Sequence, residues 1–144
     1  MIEKNQGLLY NQGRGEKMKN TRQQIIEFAL NSWGTEPEYL FESSPDTAVL
    51  RHDQTKKWYG IIMNIPYIKL GIDKKGSTDI LNLKCDPIIS GGLIAEHRAY
   101  PAYHMNKEKW ISVLLDGSVD GCEIYPLIEL SFALTQKTKK AKKQ

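Results

Sequence analysis

The chain has 144 residues, 40% of them apolar and 26% charged, which is one domain's length with enough apolar surface for a core. That excludes a disordered chain and leaves little room for a second domain. The net charge of +3 is unevenly held: residues 1–20 carry +2 and residues 137–144 carry +5, so residues 21–136 carry −4. The basic balance therefore belongs to the ends, which argues against a globally basic nucleic-acid binder and leaves only a local patch open.

Residues 1–18 read as a disordered leader, since Gly, Asn and Gln recur there without an apolar period. Met18 is a candidate natural start, with the residues before it an extension. No apolar run reaches the ~18 residues that cross a bilayer, and Met1–Gly7 lacks the apolar stretch of a signal peptide. A cytoplasmic protein without membrane association is expected. Asn20 or Thr21 can cap a first helix of about 12 residues, with Ile25, Ile26, Ala29, Leu30 and Trp33 as its apolar stripe and Gly34 as its stop. Two strands follow at Thr47–His52 and Trp58–Ile65, joined by the polar turn Asp53–Lys57 as a hairpin. In the second, alternation puts Tyr59, Ile61, Met63 and Ile65 on one side.

After Pro66, a connector with Gly71 and Gly76 leads to a third strand at Thr78–Lys84. Asp86-Pro87 reads as an N-cap and first helical position, opening a helix to about His97 that Gly91-Gly92 weakens. Tyr103–Met105 reads as a short extended piece and Trp110–Leu115 as a strand. Asp116-Gly117 then turns the chain. Asp120 opens the last helix, with a stripe of Ile124, Leu127, Ile128, Ser131 and Leu134; Pro126 predicts a kink or a late start. The order α-β(3)-α-β(2)-α with hairpin connections predicts an α+β two-layer sandwich, its largely antiparallel sheet covered on one face by helices. Residues 136–144 read as a basic flexible tail.

Searches for catalytic signatures give nothing: there is no nucleophile elbow, zinc-binding helix or phosphate-binding loop. Cys85 and Cys122 are far apart and show no metal-ligand spacing with His52, His97 or His104, so both thiols are expected reduced and packed, with no metal and no cofactor. His104 has no local acid or base beside it and reads as structural. The densest constellation is Tyr100–Trp110, where aromatics interleave with Asn106, Lys107 and Lys109. Lys56-Lys57-Trp58-Tyr59 at the hairpin turn has the same character. Such groups suit stacking and phosphate contact. They equally suit core aromatics beside ordinary solvated turns, the commoner arrangement.

Lys84-Cys85-Asp86-Pro87, then Pro101-Ala102-Tyr103-His104-Met105-Asn106-Lys107 leading to Trp110, then Leu115-Asp116-Gly117 and a closing helix with Ser131, resemble the MmcQ/YjbR family (DUF419). The resemblance spans about residues 19–135. It implies an α+β fold described as CyaY-like or secretion-chaperone-like. Its members are often named DNA-binding, after a proposed double-wing arrangement. A non-enzymatic, monomeric binding protein is therefore expected, with DNA the partner that the family naming implies and Lys56, Lys57, Asn106, Lys107, Lys109 and Trp110 the contact residues that the sequence pattern suggests. Cys85, Asp86, Pro87, His104, Asn106, Trp110, Asp116 and Gly117 are expected to serve the fold. The alternative is an adaptor that binds a protein or small ligand on an open sheet face.

Overall fold

Thr21 begins the described chain as a helix cap: its hydroxyl accepts from the Gln24 N–H, while the Gln24 side chain accepts from the Thr21 N–H. In the computed structural model, which describes residues 21–136, helix α1 runs from there over Arg22–Trp33 and stops at Gly34. Gly34 adopts φ 71°, a left-handed conformation that favours glycine, and its N–H reaches back to the last turn. The leader expected over 1–18 lies outside the described residues, as does the tail beyond Gln136. The strands are β1 (Ala48–Arg51), β2 (Trp58–Pro66), β3 (Ser77–Lys84), β4 (Tyr100–Pro101) and β5 (Trp110–Leu114). Helix α2 spans Pro87–Ala95 and α3 spans Gly121–Gln136. All five strands form one antiparallel sheet in the order β1-β2-β3-β5-β4.

The register assigns each face. Gly60, Leu83 and Ile111 share one row, and Ile62, Leu81 and Val113 another. These rows face the helices, packing with Ile25, Ala29, Ile124 and Ile128 in one buried core. Ile61, Asn82 and Ser112 alternate onto the opposite face, with Met63, Ile80 and Leu114 beyond them. Part of that face is covered by the 3₁₀ turn Tyr67–Leu70, where Tyr67 packs with Ile65, Ile80 and Leu114. The predicted α+β sandwich, helices on one face of an antiparallel sheet, is the observed fold.

Strict alternation fails in β2. Leu50 pairs with Gly60 but Arg51 pairs with Trp58, so Tyr59 is an extra residue, a β-bulge. The bulge turns Tyr59 onto the helix side, where its ring meets Trp33 at 5.5 Å and Phe132 at 4.9 Å. Only Ile61, Met63 and Ile65 keep the expected common side. Gly60 follows because a Cβ there would meet Leu50 Cδ1 at 3.2 Å, tighter than most real Cβ contacts. Beside the bulge, the β2–β3 ladder ends at the Gly60–Leu83 pair, so the next carbonyl and amide, of Tyr59 and Lys84, lie beyond it. Ser131 on α3 takes both: its hydroxyl donates to the Tyr59 carbonyl at 2.7 Å and accepts from the Lys84 N–H at 2.9 Å.

Other departures have local causes. The buried seam of α3 is Ile124, Ile128, Ser131 and Thr135, a strict helical repeat that leaves Leu134 exposed. Leu30 is likewise exposed on α1. Helix α3 starts at once after Asp120, whose carboxylate accepts from the Cys122 N–H, and continues through Pro126, so of the kink or late start expected there the late start does not occur. Helix α2 stops at Ala95 because His97 turns left-handed at φ 60°. The extended piece expected at Tyr103–Met105 is a turn, since His104 also sits at φ 60°; the strand forms earlier, at Tyr100–Pro101. Cys85 is buried, whereas Cys122 is exposed rather than packed.

Replacing Ser131 with Ala strands both bridged groups in the buried interior, each a costly loss. Urea unfolding of Ser131→Ala should show a loss of about 1–3 kcal/mol with the m-value unchanged. A loss below about 0.5 kcal/mol would mean the bridge is dispensable.

Candidate nucleic-acid interface

The two lysine-bearing turns share one end of the sheet. Strands β2 and β5 both pair with β3, so they run in the same direction, and their first residues, Trp58 and Trp110, lie at the same end. Two strand spacings separate them, about 10 Å. Lys56 and Lys57 precede β2; Lys107 and Lys109 precede β5; Lys84, paired with Trp110, ends β3 between them. Asp53, Asp86 and Glu108 stand at the same end, so the cations are interspersed with acids.

Each turn is built by its own sequence. In the first, the His52 N–H donates to the Lys57 carbonyl and the Lys56 N–H to the His52 carbonyl, with Lys56 left-handed at φ 64°. In the second, the Asn106 side-chain oxygen accepts from the Glu108 N–H at 2.8 Å and the Lys109 N–H at 3.2 Å, and its carbonyl accepts from the Trp110 N–H. The Lys107 ammonium donates to the Ala102 carbonyl at 2.8 Å, which ties the turn across its base. Lys109 joins β5 to the start of α2: its carbonyl accepts from the N–H of buried Cys85. Asp86 then caps α2 by accepting from the Ile88 N–H, with Pro87 at the first helical position. Asp116 and Gly117 lie beyond the far end of β5, apart from these lysines. There Asp116 accepts from the Tyr67 hydroxyl at 2.6 Å and from Ser118, and Gly117 adopts φ 92°.

Two concavities adjoin this end. One is a polar cleft of about 630 Å³ between the β1–β2 turn and the ends of α1 and α3, lined by Glu36, Glu38, Arg51, Asp53, Lys56 and Gln136 among others. Arg51 and Glu38 pair within it at 2.7 Å. At its base His52 is buried, its Nε2 2.8 Å from the Thr135 hydroxyl and its ring against Phe132. Burial pushes the His52 imidazole below its usual pKa; a hydrogen bond with the Phe132 backbone opposes this, and the Lys57 charge adds to it.

The other is an apolar groove of about 460 Å³ on the open sheet face, floored by Ile61, Met63 and Asn82. Its walls are the loop of Phe41 on one side and the turn Tyr103–Met105 on the other, with Trp58 at the lysine end. Asn82 and Ser112, both buried, pin the second wall from below. The Tyr103 N–H donates to the Ser112 hydroxyl, which donates to the Asn82 side-chain oxygen Oδ1, and the Asn82 side-chain amide Nδ2 donates to the Tyr103 carbonyl at 3.1 Å. His104, exposed, leans on the Tyr103 ring at 4.0 Å. Linear reading missed this groove because its sides come from segments some 60 residues apart, Phe41 to Tyr103. One signal was present: the polar Asn82 within the apolar run Ile80-Leu81-Asn82-Leu83. Among the described residues, no group of three or more His, Cys, Asp or Glu is placed to hold a metal ion, and no helix is long and apolar enough to cross a membrane.

A helix-backed antiparallel sheet with an open, grooved face and paired lysine turns defines a small α+β domain of the resembled kind. The profile of the YjbR family matches residues 30–134, and the chain belongs to that family. It is 49% identical over 116 residues to the uncharacterized protein YyaQ of Bacillus subtilis, covering 81% of this chain and 98% of that one. A crystal structure of a Pseudomonas syringae protein superposes with a TM-score of 0.77 at 46% identity, over 80% of this chain and 98% of that one. The DUF419 protein DR2400 of Deinococcus radiodurans shares the fold at a TM-score of 0.65 and 22% identity, over 85% of each chain.

Two predictions follow from the geometry of the turns. Asn106→Ala removes a cap on two backbone N–H groups and should cost about 1 kcal/mol in denaturant unfolding; unchanged stability would remove its structural role. His52 stabilises the fold as the neutral imidazole. Its contribution is present above the unfolded value of about 6.5 and is lost as pH falls through the lower native value. Thermal melts from pH 8 to 5 should therefore show a steeper acid loss for the wild-type chain than for His52→Gln. Parallel curves would contradict this.

Proposed function

We propose that the chain is a non-catalytic nucleic-acid-binding protein that meets phosphates with the lysine end of its sheet. The observation that carries this reading is the convergence of Lys56, Lys57, Lys84, Lys107 and Lys109 at one sheet end, from three separate stretches of sequence. Gln136 lines the cleft beside Lys56, and the five lysines of 137–144 follow it directly in the chain. A domain whose described part carries −4 thus has a cationic end, and five more lysines come next in the sequence. The family resemblance names DNA as the polymer. Interspersed Asp53, Asp86 and Glu108 oppose phosphate approach, so affinity is weak and sequence-tolerant, and most of it is electrostatic. Adaptor activity toward a protein or small ligand draws on the grooved face instead and takes over if nucleic acid fails to bind.

Titration of labelled duplex DNA over a range of salt tests this. Log K should fall linearly with log salt, by about 0.9 per phosphate neutralised. Ending the chain at Gln136 should flatten that slope most. Lys56→Gln with Lys57→Gln should flatten it further, while the equivalent change at exposed Lys69 or Lys75 should do little. No duplex binding by the full chain at low salt would overturn the reading.

A further inference from the structure

Aromatic side chains on an open sheet face beside cationic turns have a use that duplex contact leaves idle. We propose that the groove over β2 is a stacking site for the bases of single-stranded nucleic acid, whose phosphates are met by the adjoining lysine turns. The proposal rests on the nucleic-acid reading and adds which form of the polymer the domain prefers and where its bases go.

Three observations carry it. The groove sets aromatic rings and thioethers among uncharged polar groups such as Ser44, Thr47 and Asn64: Phe41 and Trp58 meet edge-to-face at 6.0 Å on one side, and Tyr103 and Met105 stand on the other. Phe41 is 39% exposed, a large aromatic left partly uncovered in a domain that buries Tyr59 completely. Every base has a π-face, so such a surface takes unpaired bases without reading their sequence.

Charge complementarity supplies the second. No carboxylate lines the groove among the described residues, in contrast to the neighbouring cleft with Glu36, Glu38 and Asp53. Trp58 directly follows Lys56 and Lys57, and the wall residues Tyr103–Met105 lead directly into Asn106 and Lys107. A strand with its bases on the aromatics would therefore carry its backbone toward the cations at both sides of one groove end.

The third is rigidity. Asn82 and Ser112 hold both backbone groups of Tyr103, and Lys107 and Asn106 tie the turn that follows. The wall is in place before a ligand arrives, so little ordering cost falls on binding. Duplex DNA keeps its bases stacked on one another and cannot use these rings.

Anisotropy titrations of the full chain with short labelled oligo(dT), oligo(U) and a duplex of equal length, at one low salt concentration, test the proposal. Single strands should bind more tightly than the duplex and should quench tryptophan fluorescence. Phe41→Ala, in a loop, and Trp58→Ala should each weaken single-strand binding roughly fivefold to a hundredfold, the range of base–aromatic stacking. Duplex affinity should stay unchanged in Phe41→Ala. A preference for oligo(dT) or oligo(U) identifies DNA or RNA as the source and supports the proposal either way. Equal binding of single strand and duplex, both indifferent to Phe41→Ala, overturns the stacking site while the lysine-end reading stands. Binding of none of the three overturns both.

Discussion

The hydroxyl of Ser131 is the smallest group on which the architecture depends. A bulge at Tyr59 gives β2 one residue too many, and beside it the β2–β3 ladder stops, so the buried Tyr59 carbonyl and Lys84 amide need a partner from outside the sheet. One serine on the buried seam of α3 is small enough to sit against the sheet, and its hydroxyl both donates and accepts. Its consequences spread outward. Tyr59 swings to the helix side, where Trp33, Phe132 and His52 close around it. Gly60 then sits close under Leu50, whose Cδ1 a Cβ there would crowd at 3.2 Å. Helix α3 is fixed in both translation and rotation against β2 and β3.

With the helices settled on one face, the other face is free to differ. Tyr67 and its 3₁₀ turn cover the end where β2 meets β3 and join Asp116 there. The remainder stays open between the Phe41 loop and the Tyr103–Met105 turn. That opening is kept by polar groups rather than apolar ones: buried Asn82 and Ser112 satisfy one another and the Tyr103 backbone. A network of this kind costs little when complete and fixes one geometry, whereas apolar residues in those positions would allow the turn to settle elsewhere. The same division of labour places the lysines. They ride on short turns whose shapes are set by Asn106, Lys107 and left-handed Lys56, while the strands behind them fix the spacing.

Structural roles and the binding roles proposed above therefore fall on the same residues. Lys107 spends one donor on the Ala102 carbonyl and keeps its charge at the lysine end. Trp58 begins β2 and also closes the groove. Such sharing explains why the motif running from His104 to Trp110 reads equally well as a turn device and as a contact surface: it is the first in its backbone bonds and offers the second in its charges and rings.

What the sequence by itself determined were the local elements and the layer they form. The Thr21 capping box, Gly34, the Asp86-Pro87 start and the apolar strands are decided within a few residues of chain, so helix, strand and sandwich were legible. Family membership was legible too, in Cys85–Pro87, His104–Trp110 and Asp116-Gly117. Tertiary structure alone decided which side of the sheet Tyr59 faces, since a bulge is defined by the partner strand's register and not by the bulged strand. It also decided the groove, because Phe41, Trp58, Asn82 and Tyr103 meet only when three strands and two loops are assembled. The gathering of the lysines has the same cause. Lys56 and Lys109 are 53 positions apart in the chain, and only antiparallel pairing of both β2 and β5 with β3 brings them to one end.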